Sequence, residues 1–171
     1  MKNLLAVVLS VSLLSFGAPP LSAKGETVRI VVEGADLPKP LDITDAKILA
    51  NFNVWMGPGT SSKPNSPSFI VDWSQGPVRD IPKGLQQYRV SFYVNSEKEH
   101  LAYVVFYADD HSTKHGYVYL PGTSDPYYAL NVGTVFRGVE GNWFHASTAW
   151  ETTAEPLITK AKTNSATPPV S

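Results

Sequence analysis

The clearest pattern of apolar and polar positions begins at Gln87. In QYRVSFYVN, 87–95, Tyr88, Val90, Phe92 and Val94 alternate with Arg89, Ser91 and Tyr93. A period of two sends successive side chains to opposite faces of a β-strand. SEKE follows as a polar turn, and HLAYVVFYA, 100–108, is then apolar on both faces, as a central strand is. A four-residue loop at 96–99 would set Val94 opposite Leu101, Phe92 opposite Tyr103 and Val90 opposite Val105. That register brings the two apolar faces together. After DDHSTKH, the segment GYVYLPG, 116–122, supplies another strand. The pattern predicts a three-strand antiparallel meander over about 86–121.

Elsewhere the pattern is shorter. TVRIVVEG, 27–34, is β-branched and reads as a strand. The prolines of LPKPLDIT, 37–44, suit an edge or a turn. Thr44 or Asp45 can cap a short helix at about 45–52, with Ala46, Ile48, Leu49 and Phe52 at near-helical spacing. FIVDW, 69–73, reads as a short strand, and 127–137 as one or two more. Residues 146–155 fit strand by their threonines and helix by their alanines. The expected fold class is mainly β, an antiparallel sandwich or small barrel containing the meander. The alternative is α+β, an antiparallel sheet with a packed helix.

The N-terminal residues read as an address rather than as fold. Lys2, the apolar run LLAVVLSVSLLSFG at 4–17 and the small Ala23 form the pattern of a secretory signal peptide over 1–23. The run is shorter than the roughly 20 residues that span a bilayer. Nothing later is long and apolar enough to span one, so no transmembrane segment is expected in the mature chain. The expected organisation is one globular domain at 24–158 and a polar, disordered tail at 159–171. The expected location is periplasmic or extracellular. The chain has no cysteine, which removes disulfides, thiolate ligands and cysteine nucleophiles. A domain of this size can rest on its core alone, burying about 68–70% of its unfolded surface.

Charge excludes one class of partner. There are 14 Lys and Arg against 15 Asp and Glu, scattered along the chain. No basic stripe offers counterion release, so nucleic acid is not an expected partner.

DDHSTKH, 109–115, is the most chemically suggestive run. Asp109, His111 and His115 could surround a divalent metal, since imidazole and carboxylate are common ligands. The competing reading is a hydrophilic loop between strands, and no cofactor is otherwise expected. MGPGTSSKP, 56–64, fails as a phosphate loop because Ser62 and Pro64 break the motif. DWSQG, 72–76, fails as a nucleophile elbow because Asp72 replaces the first glycine and a Gly-Pro turn follows.

FRGVEGNWF, 136–144, offers Arg137 and Glu140 on a glycine turn beside Trp143. Arg137 could bind a carboxylate, and Trp143 could stack on a sugar. Tyr127 and Tyr128 add to a tyrosine-rich surface suited to ligand contact. The competing reading places these aromatics in the core. No catalytic motif survives. The expected function is a small, exported, non-catalytic binding or interaction module whose extracytoplasmic ligand is a protein or a carbohydrate. The alternative is a metal-dependent or carboxylate-based extracytoplasmic hydrolase.

Overall fold

The computed structural model describes residues 24–34, 36–60, 67–113 and 115–165. The expected signal peptide at 1–23, residues 61–66 and the end of the expected tail at 166–171 lie outside the described residues.

Among the described residues, seven strands form one antiparallel sheet. They are β1 (Glu26–Gly34), β2 (Leu41–Ile43), β3 (Pro77–Val78), β4 (Gln86–Asn95), β5 (Glu99–Asp109), β6 (Tyr117–Tyr119) and β7 (Trp143–His145). Their order across the sheet is β2-β1-β4-β5-β6-β7-β3. The helices are α1 (Ala46–Leu49), α2 (Tyr128–Thr134) and α3 (Thr148–Ser165). The fold is therefore mainly β, with a long helix packed on it. All strands belong to one sheet that ends at β2 and β3, so the form is the helix-packed sheet rather than a closed barrel or two packed sheets. Both edge strands are short, and β3 begins with Pro77, which cannot donate to a neighbouring strand.

The meander is present as β4-β5-β6. Val90 pairs with Val105 and Phe92 with Tyr103, as the alternation requires. Val94 instead pairs with His100, because the register slips between Phe92 and Tyr93. Tyr93 then faces Leu101, and Ala102 is the extra residue of a β-bulge. The hairpin loop is accordingly 96–98, one residue shorter than the alternation alone suggests.

Two segments differ from expectation. Residues 128–134 are helix, not strand. Residues 148–165 form α3, which resolves the strand-or-helix ambiguity and carries helix into 159–165, where a disordered tail is expected. The physical reason is tertiary. Trp150, Ala154 and Ile158 stand at i, i+4 and i+8 and are fully buried against the sheet. Trp150 meets Phe52 edge-on at 5.6 Å and Tyr107 at 5.8 Å. That burial outweighs Pro156, which removes one hydrogen bond inside the helix. The last turns are held by Lys162, whose ammonium is 2.7 Å from Asp36 and lies over the Tyr88 ring.

The expected helix at 45–52 is one turn, capped by the Asp45 carboxylate accepting from the Lys47 amide at 2.8 Å. FIVDW makes one isolated bridge, from Val71 to Ala146, and enters a 3-10 turn at Trp73–Gln75. Asp72 accepts from the Ser74 amide and hydroxyl there, so Ser74 is a turn residue.

α3 and Phe69 together cover one face of the sheet, where Tyr88, Tyr103 and Tyr107 are fully buried. The opposite face is only partly covered. This asymmetry positions the site.

Candidate ligand-binding face

The half-open face carries aromatic side chains on neighbouring strands. Phe106 of β5 pairs with Tyr119 of β6, which pairs with Trp143 of β7. Two residues along the same strands, Tyr117 pairs with His145. Paired residues share a sheet face, so these rings form two adjoining cross-strand rows. Tyr119 and Trp143 lie 5.1 Å apart, and Tyr117 and His145 5.3 Å apart. All five are half-buried. Tyr127 packs beside Phe106 at 6.5 Å. It adopts the left-handed region at φ 71°, unusual for a non-glycine residue. Arg89 holds it there with a 2.6 Å bond to its hydroxyl, while pairing with Glu33.

Beyond Tyr119 the surface falls into a cleft of about 440 Å³. Its walls include Tyr119, Asp125, Tyr128, Phe136 and Glu140. Two loops close on one another at its base. A Cβ at Gly122 would sit 2.9 Å from the Gly141 Cα, and Gly141 has φ 83°. Both positions therefore need glycine. Phe136 projects from the rim with 72% of its surface exposed.

The carboxylates of the cleft are fixed from within. Asp125 accepts from the Tyr119 hydroxyl at 2.6 Å and the Gly122 amide at 2.8 Å. Those bonds hold it below the ordinary carboxylate range and ionised at neutral pH. Glu140 accepts from the Arg137 and Val139 amides, each at 3.0 Å, and from the Tyr103 hydroxyl at 3.3 Å.

Arg137, expected as a ligand contact, is turned inward instead. Its guanidinium donates to the carbonyls of Val54 and Met56. It lies 4.1 Å from the Phe69 ring centroid and 4.6 Å from that of Tyr103. Burial pushes its pKa down, and Tyr103 and Glu140 offset that effect. Arginine remains charged under such shifts. Here it fastens the 53–57 segment to the 136–141 loop. Of the five residues singled out, Trp143 and Tyr127 lie on the aromatic face, Tyr128 and Glu140 line the cleft, and Arg137 is committed to bonds within the fold.

Sequence reading missed Tyr119, Asp125 and Phe106. Tyr119 and Phe106 could have been found once the second hairpin's register was known. Asp125, in a Gly-Thr-Ser-Asp turn, carried no distinguishing signal.

The structure does not assemble the expected metal set. Among the described residues no group of three or more His, Asp or Glu side chains is placed to hold an ion. Asp109 ends β5 with its side chain turned into the seam under α3, and is 5% exposed. His111 reaches it at 3.3 Å, whereas His115 stands exposed. Asp110 accepts from the Ser112 amide and hydroxyl and closes the turn.

That seam holds the carboxylates with raised pKa. Burial pushes Asp109 up, opposed by His111 and Lys162. Burial likewise pushes Glu151 up, although it accepts from the Tyr107 hydroxyl at 2.9 Å and the Gly116 amide at 2.8 Å.

No protein-family description, curated protein or solved structure matches this chain.

Proposed function

We propose that this chain is an exported, non-catalytic binding module whose ligand surface is the aromatic sheet face and its adjoining cleft. The observation that carries the reading is the unequal treatment of the aromatics. Tyr88, Tyr103, Tyr107 and Trp150 are fully buried, while Phe106, Tyr117, Tyr119, Trp143 and Phe136 face outward on one side. Aromatic rings left half-open on a rigid sheet give contact area at low entropic cost. The N-terminal pattern read as a secretory signal supports an extracytoplasmic ligand.

Two observations favour binding over hydrolysis. The carboxylates whose pKa burial raises, Asp109 and Glu151, lie in the helix–sheet seam and do not line the cleft. Asp125, which does line it, is held ionised and is a poor proton donor at neutral pH.

The test is selection against the mature chain beginning at Lys24, using an oligosaccharide array and a phage library of random peptides. The expected result is enrichment of ligands from one source, lost in a Tyr119→Ala, Trp143→Ala double variant that still folds. Equal enrichment on the double variant, or none on either protein, contradicts the reading.

A further inference from the structure

We propose that the cleft beside Tyr119 binds one residue of a neutral oligosaccharide, with the Tyr119–Trp143 row as the track for its neighbours. The inference rests on the aromatic face being a ligand surface and names the ligand class.

Three observations select this class. First, the cleft combines aromatic side chains with fixed acceptors. Tyr119, Tyr128 and Phe136 line it beside the carboxylates of Asp125 and Glu140. A pyranose has that dual character, with an apolar C–H face and a rim of hydroxyl donors. A carboxylate has about four acceptor positions, so the bonds within the protein leave capacity for a ligand hydroxyl. Those bonds also set the oxygens in place beforehand, which lowers the entropic cost of binding.

Second, charge narrows the choice. Two carboxylates line the cleft, and among the described residues no lysine or arginine does. Phosphate, sulfate or uronate groups would meet repulsion there. A cationic ligand is favoured less than the carboxylates alone suggest. The Glu140 charge is met by the Arg137 guanidinium, and both carboxylates already accept backbone N–H bonds.

Third, size and shape agree. About 440 Å³ falls within the usual range of small-ligand sites, about 300–1,000 Å³. Tyr119 belongs to both the cleft wall and the aromatic row, so a chain leaving the cleft passes onto Trp143. Phe136 is the one large apolar side chain among the described residues that is mostly exposed, and it stands at the rim. Its exposure gives it little part in the core, which fits a contact residue.

The test is calorimetric titration of the mature chain with six probes. Four are neutral hexasaccharides: β-1,4-linked glucose, N-acetylglucosamine and xylose, and α-1,4-linked glucose. The others are hexagalacturonate and hexalysine. At least one neutral hexasaccharide is expected to bind and hexagalacturonate is not. Phe136→Ala is expected to weaken the neutral ligand by about tenfold or more while leaving the melting temperature unchanged. Equal binding of a neutral hexasaccharide to Phe136→Ala overturns the inference. So does binding of hexalysine or hexagalacturonate alone, and if that binding is lost in Trp143→Ala the aromatic-face reading still stands. Silence from all six probes overturns the inference. The peptide and array selection then decides separately whether the face binds another ligand.

Discussion

The Asn131 carboxamide bonds both backbone groups of Val104, accepting from the amide at 2.9 Å and donating to the carbonyl at 2.7 Å. Extending the β5–β6 pairing by two residues would set Val104 opposite Pro121, which has no N–H. Asn131, fully buried, takes the place of a strand partner where β6 ends. It thereby fixes α2, and with it Tyr127 and Tyr128, against the sheet.

Asn131→Leu should therefore destabilise more than a surface change. Two buried backbone groups would lose their partners, a cost of about 3 kcal/mol. Urea unfolding checks this. Asn131→Asp should be no milder, because it loses the donor and introduces a buried charge.

Arg137→Met keeps the apolar stem but removes the donors to the Val54 and Met56 carbonyls. The expected loss is also about 3 kcal/mol. Chemical denaturation reads the stability. Binding measured well below the unfolding transition should weaken too, since Arg137 holds the 136–141 loop that brings Phe136 and Glu140 to the cleft.

Stability should depend on pH in a defined sense. The folded pKa values of Asp109 and Glu151 are raised. Between their unfolded values near about 4 and their folded values, the folded state binds more protons. Their ionisation therefore costs stability as pH rises through the folded pKa. Asp36, Asp72, Asp110 and Asp125 are lowered, so their contribution is present above about 4 and is lost on further acidification. On acidification the melting temperature should rise as pH falls through the folded pKa values of Asp109 and Glu151, and then fall in strong acid. Asp109→Asn should flatten the first limb. An unchanged slope in that variant contradicts the assignment.

Pro156 is exposed in the middle of α3. Pro156→Ala should restore a helical hydrogen bond and stabilise by about 2–3 kcal/mol. Thermal unfolding measures the gain. No gain would mean that surrounding packing already compensates the missing bond.

The meander was legible because Tyr88, Val90, Phe92 and Val94 alternate with polar residues. The bulge at Ala102 was not, because β5 is apolar on both faces and a slip there exposes nothing. α3 was written in the spacing of Trp150, Ala154 and Ile158, but threonines and Pro156 masked it until packing decided. In the FRGVEGNWF segment, composition could not show that Arg137 turns inward while Phe136 turns out. The cleft depends on the approach of Gly122 to Gly141, 19 residues apart, which no local pattern encodes.

The most direct test of the ligand surface is an amide chemical-shift map of the 15N-labelled chain from Lys24 onward, titrated with the four neutral hexasaccharides. The account predicts shifts concentrated at Tyr119, Gly122, Gly138, Gly141 and Trp143. Shifts confined to α3 and the seam beneath it, or none from any of the four, would contradict it.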